Sequence, residues 1–190
     1  PRLLEKNSLE TVERAEIDAA ISHLEHESGI HYDSIQKAAI IQAINNPLFI
    51  LTGGPGTGKT TVINGIIAVY ALLHKLNLTK STGEVPILLA APTGRAARRM
   101  NELTGLPSAT IHRHLGLTED QGESYREDYL DADFIIVDEF SMVDTWLANQ
   151  LFQNISSNSQ VLIVGDAEQL PSVSPGQVLA DLLKIPALPS

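Results

Sequence analysis

The chain has 190 residues, 43% of them hydrophobic, which fits one domain with a sizeable core. It has no cysteine, which excludes disulfide bonds, thiolate metal sites and cysteine nucleophiles. No apolar run is long enough to span a bilayer, and no secretion signal is recognisable, so we expect no membrane partner and a cytoplasmic location.

Charge is unevenly distributed along the chain. The formal net charge of -10 disfavours a nucleic-acid partner, yet residues 59–113 hold seven basic against two acidic residues, a balance of +5. Residues 1–33 hold three basic and eight acidic residues, and residues 118–144 hold one and ten. This pattern favours steering of a polyanion toward the middle of the chain. On charge alone, segregation of solvated faces by sign explains it equally well.

Two helices are predicted at the start of the chain. Apolar residues recur at helical spacing over Ser8–Ser28, with Ser8 placed to cap the helix and Gly29 to end it. A second helix is predicted from Ser34 to about Asn45, where Asn45-Asn46-Pro47 stops it. We therefore interpret residues 1–29 as a helical lead-in to a main domain.

From there, short apolar segments alternate with helical ones, which predicts an α/β fold with a parallel sheet and helices on both faces. Ligands of such sheets bind at the carboxyl ends of the strands. The polar segment Leu117–Tyr129 is predicted to be a loop or a small insertion. The predicted strands are Leu48–Leu51, Ile87–Ala91, Phe134–Val137 and Val161–Val164. The predicted helices are Thr60–Leu76, Gly94–Leu103, Asp144–Ile155 and Gln177–Leu183.

A glycine-rich loop follows the first predicted strand. Its pattern, a glycine, four residues and then Gly-Lys-Thr before a helix, is typical of phosphate-binding loops. Backbone N–H groups and the positive end of the helix would face the phosphates. Lys59 would contact the β- and γ-phosphates, and the Thr60 hydroxyl would hold Mg²⁺. The loop predicts a nucleoside triphosphate ligand, and its residues are Gly53, Gly54, Pro55, Gly56, Thr57, Gly58, Lys59, Thr60 and Thr61.

Two adjacent carboxylates end the strand predicted at Phe134–Val137. Asp138 is placed to complete the Mg²⁺ shell, and Glu139 to orient or deprotonate a water that attacks the γ-phosphate. Such a pair suits hydrolysis better than transfer to a substrate hydroxyl. The alternative is an acidic loop start with no catalytic role.

Two glutamines have competing interpretations. Gln169, in the loop after the last predicted strand, could sense the γ-phosphate and relay its loss to a second site, or be a plain loop residue. Gln36 could complete a capping box with Asp33, or read the N6 and N7 edge of adenine through its amide. From pattern alone these alternatives stay open.

A basic segment follows the second predicted strand. Pro92-Thr93-Gly94-Arg95 opens a helix whose N–H groups and arginines suit a phosphate backbone. His112 and His114 lie further on, after small hydroxyl residues. They could contact a nucleic acid, or be surface or satisfied core imidazoles. Their spacing to other ligands does not indicate a metal site.

Together these motifs resemble superfamily 1 DNA helicases, and within them the RecD/TraA family that includes the alpha subunit of exodeoxyribonuclease V. Their order and spacing match as well as their content, over about Ile30 to Leu183. The matching segments are Gln36, Gly53–Thr60, Ala91–Ala97, Ala109–His112, Asp138–Met142 and Gly165–Ser172 with Gly176.

The resemblance implies a first RecA-like ATPase domain at residues 30–190, in which the Gly165-Asp166 strand lies between the other two motif-bearing strands. It implies 5′ to 3′ translocation on single-stranded DNA, driven by ATP with Mg²⁺, and duplex unwinding. Gln36 would contact adenine, Glu139 would activate water, and Gln169 would sense the γ-phosphate. Lys59, Thr60 and Asp138 would bind phosphate and metal. The implied DNA contacts lie in the segments of Pro92, Thr93, Gly94, Arg95 and His112.

The later family motifs, carried by a second RecA-like domain, are absent from a chain that starts without Met and stops at Ser190. We therefore expect a fragment that binds ATP–Mg weakly and is nearly inactive, because the second domain supplies arginines to the γ-phosphate. Nuclease or helicase subunits are further expected partners. The rival interpretations are a non-catalytic nucleotide-binding module and another kind of P-loop ATPase.

Overall fold

A computed structural model describes residues 12–54, 56–78, 86–117 and 130–166 of the chain. The described strands are β1 (Leu48–Thr52), β2 (Ile87–Ala91), β3 (Ser108–Thr110), β4 (Phe134–Val137) and β5 (Gln160–Gly165). The described helices are α1 (Arg14–Ser28), α2 (Ser34–Asn45), α3 (Lys59–Leu73), α4 (Gly94–Thr104), α5 (Ile111–His114) and α6 (Thr145–Asn154), with a 3-10 turn at Phe140–Met142.

The five described strands form one parallel sheet in the order β1-β5-β4-β2-β3. Strand β5, which ends at Gly165, therefore lies between β1 and β4, as the resemblance implies. Thr52 of β1 pairs with Gly165 of β5, and Ala91 of β2 pairs with Thr110 of β3. The carboxyl ends of these strands thus lie along one edge of the sheet, where the candidate site residues follow them.

Successive side chains of a strand point to opposite faces of the sheet. Both faces are buried, because alternate residues of β5 belong to two different core clusters. Leu162 and Val164 of β5 belong to the core cluster that includes α1, α2, α3 and Met100 of α4. Val161 and Ile163 belong to the second cluster, which includes Ile111 of α5 and the buried residues of α6. The predicted fold with helices on both faces is confirmed.

Most predicted elements are confirmed within a few residues, and the deviations have local causes. Helix α1 includes neither Val12 nor Glu13, since Glu13 has a non-helical ψ of 136°, and the proposed Ser8 cap lies outside the described residues. Helix α3 ends at Leu73 rather than Leu76, because Lys75 takes a left-handed conformation with φ 54°. The loop predicted after Leu117 and the helix predicted at Gln177–Leu183 also lie outside the described residues.

Strand β3 and helix α5 were not predicted. The sequence Ser-Ala-Thr has no apolar run, and its three residues are only half-buried at the edge of the sheet. It is held there by pairing with β2 and by the Ser108 hydroxyl, which donates to the Ala97 carbonyl of α4. Tertiary contacts rather than strand propensity place this element.

Helix α1 packs into the same core as α3. Ile17 and Ile21 are buried against it. Gly65 of α3 permits a close approach of α2 and of the connection that leads from α1, because a Cβ atom there would lie 2.9 Å from Ile40 Cδ1 and 3.0 Å from Tyr32 Oη. The helical lead-in is therefore attached to the helix that follows the glycine-rich loop.

Candidate nucleotide and nucleic-acid sites

The glycine-rich loop connects β1 to α3 at the carboxyl edge of the sheet. Gly56 and Gly58 have φ values of 76° and 79°, a left-handed conformation that favours glycine. A Cβ atom on Gly53 would lie 2.6 Å from Thr57 Oγ1, which itself donates a hydrogen bond of 2.7 Å to the Gly54 carbonyl. Local backbone geometry thus requires glycine at these positions, whereas Pro55 lies outside the described residues.

Lys59 reaches back over this loop, and its Nζ donates to the Gly53 carbonyl at 2.6 Å. Thr60 and Thr61 follow in the first turn of α3. The Val62 N–H donates to the Gly58 carbonyl at 3.1 Å, so the N–H groups before Val62 are the ones that an α-helix leaves without intrahelical acceptors. An ammonium group and helix-terminal donors therefore face one concave loop, which fits a phosphate group.

Gln36 forms the predicted capping box at the start of α2. Its N–H donates to Asp33 Oδ1 at 2.8 Å, and its Oε1 accepts from the Asp33 N–H at 3.0 Å. Its Nε2 lies 3.0 Å from the position of a Cβ atom on Gly58. The capping interpretation is confirmed. The adenine contact stays a prediction, and it is compatible with the cap because the same amide borders the phosphate loop.

Asp138 follows β4 and is held by its backbone N–H, which donates to the Ala90 carbonyl at 3.0 Å. Burial raises the pKa of its carboxyl group. The Glu139 N–H, which donates to Asp138 Oδ1 at 2.8 Å, and the positive charges of Lys59 and Arg99 oppose that rise in pKa. The fold thus brings Asp138 into the electrostatic field of the phosphate-loop lysine.

Glu139 has a left-handed backbone, with φ 51° and ψ 37°. Non-glycine residues adopt this conformation at a cost and often do so at functional sites. The turn at Phe140–Met142 holds it: the Met142 N–H donates to the Glu139 carbonyl at 3.0 Å, and the Phe140 side chain is buried. No local pattern predicts this geometry, because glutamate is not a residue that favours positive φ.

Asp166, which ends the predicted Gly-Asp segment, is buried at the carboxyl end of β5. Gln169 lies outside the described residues, so its predicted role stays a prediction. Arg99 was missed as a charge near Asp138, although its spacing from Arg95 on α4 could have indicated a shared helix face.

The basic segment begins directly after β2. Thr93 is the N-cap of α4, where its Oγ1 accepts from the Ala96 N–H at 3.2 Å and its hydroxyl proton can still be donated. Pro92 is half-buried, whereas Gly94 and Arg95 are exposed. The four predicted contact residues of this segment therefore lie at the edge of the sheet that also holds the phosphate loop.

The two histidines after β3 occupy different environments. His112 is exposed on α5. His114 is largely buried, and its Nε2 bonds to the Leu89 carbonyl at 2.8 Å. Burial lowers the pKa of His114, with the charge of Arg113 acting in the same direction and the Leu89 contact against it. The interpretation as a satisfied core imidazole therefore holds for His114, while His112 remains available to a ligand.

Four arginines near this edge have exposed side chains and form no ion pair within the described part of the chain. They are Arg95, Arg98, Arg99 and Arg113. The ion pairs between described residues instead involve α1 and α2, namely Arg14–Asp18, His23–Glu27 and Lys37–Glu25. Unneutralised guanidinium groups in one region are what a polyanion requires.

The sheet order, the loop between β1 and α3, and the carboxylates after β4 define a P-loop domain of the RecA-like α/β type. The chain belongs to the AAA domain family, whose sequence profile matches residues 36–175. Within this class it is similar to RecD proteins, among them a RecD2 DNA helicase.

Two sequence relatives and one solved structure illustrate this similarity. The RecBCD enzyme subunit RecD of Mycolicibacterium smegmatis is 39% identical over an alignment of 168 residues that covers 78% of this chain and 30% of the relative. The ATP-dependent RecD2 DNA helicase of Deinococcus radiodurans is 37% identical over an alignment of 150 residues that covers 77% of this chain and 19% of the relative. The chain thus spans less than a third of the length of either relative.

The Pif1 helicase of Candida albicans has a similar fold, with a TM-score of 0.55 at 24% identity over 76% of this chain and 35% of that one. At this identity the likeness concerns the fold alone. Among the described helices, none is long and apolar enough to cross a membrane.

Proposed function

We propose that this chain is the first motor domain of an ATP-dependent DNA helicase that moves 5′ to 3′ along single-stranded DNA in the cytoplasm. The observation that carries the proposal is the position of two features at one edge of one sheet. The phosphate loop follows β1, and arginines that pair with no carboxylate among the described residues flank the ends of β2 and β3. The names of the sequence relatives, a RecD subunit and a RecD2 DNA helicase, support it.

ATP would be held by the loop from Gly53 to Thr61, with the Gln36 amide on the adenine edge. The residues fit a nucleotide with its metal: Gly53 has no room for a side chain, and the Asp138 carboxylate lies in the field of Lys59. Thr60 and Asp138 would hold Mg²⁺, which when bound neutralises phosphate charge. Lys59 would exchange its bond to the Gly53 carbonyl for phosphate oxygens.

Glu139 would accept a proton from the attacking water, and the fixed turn after it would keep its backbone in place. Gln169 would respond to the γ-phosphate. Pro92, Thr93, Gly94, Arg95 and His112 would follow the DNA strand through contacts that do not depend on sequence. A second RecA-like domain would add the arginines needed for fast turnover, so residues 1–190 alone would bind ATP–Mg and hydrolyse it very slowly. As a RecD-like protein, the full-length chain would assemble with nuclease and helicase subunits.

Replacing Glu139 by Gln tests the catalytic part of this proposal. In the protein with its second domain, E139Q should retain ATP affinity and lose turnover by at least about a hundredfold, the scale of general-base catalysis. Glu102, exposed on α4, gives a matched control, because E102Q removes the same charge away from the strand end. Equal turnover in E139Q and E102Q would show that Glu139 is not the general base, and an absence of turnover in the wild-type protein would favour a nucleotide-binding module without catalysis.

A further inference from the structure

One exposed aromatic side chain has no place in the roles assigned above. Trp146 is 56% exposed, although tryptophan usually buries most of its large apolar surface. It lies in the first turn of α6, which starts at the carboxyl edge of the sheet just after the turn that follows β4. Met142 in that turn is 46% exposed, so two large apolar side chains close together in the chain are exposed near the functional edge.

The backbone beneath Trp146 is firmly held. Asp144 caps α6, its Oδ1 accepting from the Leu147 N–H at 2.7 Å. Leu147, Ala148 and Leu151 are buried in the core cluster that also contains Ile111. Among the described residues, the Trp146 indole has no hydrogen-bond or ring partner. The Trp146 ring therefore projects from a capped and packed helix, and no described residue bonds to it or stacks on it.

The helix that carries Trp146 contacts part of the candidate nucleic-acid segment. Helix α5 packs against α6, and it carries His112 and Arg113 with exposed side chains. Arg113 forms no ion pair with any described residue. Arg113 thus lies on the helix next to the one that carries the exposed ring, and proteins that bind single-stranded nucleic acid combine cations that follow the backbone with aromatic rings that stack on bases.

We propose that Trp146 is a stacking platform for a base of single-stranded DNA, next to the phosphate contacts of the α5 region. The inference rests on the proposed function and extends it to a residue and a kind of contact not included there. A protein segment could also cover these apolar side chains, but the exposed His112 and Arg113 on the adjoining helix favour the nucleic acid. Stacking does not distinguish strongly among bases, which suits a motor that must hold any sequence.

Trp146 is the chain's single tryptophan, so intrinsic fluorescence reports on this residue alone. Titration of the 190-residue chain with an oligothymidylate should quench and saturate the signal. In a separate assay with a labelled oligonucleotide, W146A should bind about tenfold more weakly, and W146F should recover most of the loss, because a phenyl ring can still stack. Leu72, exposed at the opposite end of α3, is the control: L72A should bind like the wild type.

Salt dependence separates stacking from charge. R113A should lower the slope of log affinity against log salt concentration by about one, as expected for the loss of one phosphate contact. W146A should lower affinity with that slope unchanged. Wild-type affinity in W146A, or saturable binding without any change in fluorescence, would overturn the stacking role and leave the proposed function standing. An absence of oligonucleotide binding by the wild-type chain would overturn both.

Discussion

The phosphate loop and the region of α4, α5 and α6 lie at the same edge of one sheet, yet they are built differently. The loop is specified by its backbone: Gly56 and Gly58 need left-handed φ values, and Gly53 has no space for a Cβ atom. The outer region is specified by side chains on capped helices, where exposed arginines and Trp146 project from regular backbone. Substitutions should therefore disrupt the loop sharply and the outer region gradually.

The largest contrast is expected between two glycines. Gly58→Ala forces a side chain into a left-handed conformation and presses it against the Gln36 amide, at a combined cost of about 2 kcal/mol. Gly94, at the start of α4, has nothing within 4 Å of its Cβ position, so G94A should stabilise the chain by up to about 1 kcal/mol. Thermal unfolding of both variants measures the difference.

ATP binding should follow the same contrast. G58A should weaken binding of ATP–Mg by roughly tenfold or more, since 1.4 kcal/mol corresponds to a factor of ten. G94A should bind ATP as the wild type does. If G58A binds ATP normally and unfolds at the wild-type temperature, the left-handed backbone of the loop determines neither ATP binding nor stability.

The next effect concerns the arginines of the outer region. Arg95→Ala should weaken binding of single-stranded DNA several-fold and reduce the salt slope by about one, because a single phosphate contact is lost. Arg14 is also exposed, but it pairs with Asp18 on α1, so R14A is a matched control that should bind DNA normally. Equal losses in R95A and R14A would show that net charge, rather than this edge, attracts the DNA.

Much of this organisation was predictable from sequence, for identifiable reasons. Strands β2 and β4 were predicted residue for residue, because strands buried on both faces are continuous apolar runs. The phosphate loop was predictable because its backbone needs glycines, and their positions can be read directly from the sequence. The strand position of Ser108–Thr110, the positive φ of Glu139 and the charge of Arg99 near Asp138 depend on tertiary packing, which no local pattern records.

A smaller effect is expected at the start of α2, where Gln36 borders the phosphate loop. Asp33→Ala removes the capping box of α2 and should lower the free energy of unfolding by about 1 kcal/mol. It also frees Gln36, so the preference for ATP over GTP should fall if that amide reads adenine. Asp33→Asn keeps an acceptor at the cap and should preserve both properties. A selectivity that is unchanged in D33A would exclude the cap as a positioning element for the amide.

The smallest effect is a pH dependence that originates at His114, in the outer region. Burial lowers the pKa of His114 below the ordinary value of 6.5, so the folded chain binds a proton less readily than the unfolded chain. The free energy of unfolding therefore has its full value above pH 6.5 and decreases as the pH falls through the lowered pKa. His114→Gln should retain a donor for the Leu89 carbonyl and reduce the pH dependence.

Thermal unfolding between neutral and mildly acidic pH measures this effect, with His112→Gln as the control because His112 is exposed on the same short helix. The melting temperature of the wild type should fall more steeply with acidification than that of H114Q, whereas H112Q should follow the wild type. Since α5 carries His112 and Arg113, acidification would loosen these side chains, which are proposed to contact DNA, before the phosphate loop. Parallel curves for the wild type and H114Q would place the acid sensitivity elsewhere, and the two regions would then respond to pH alike.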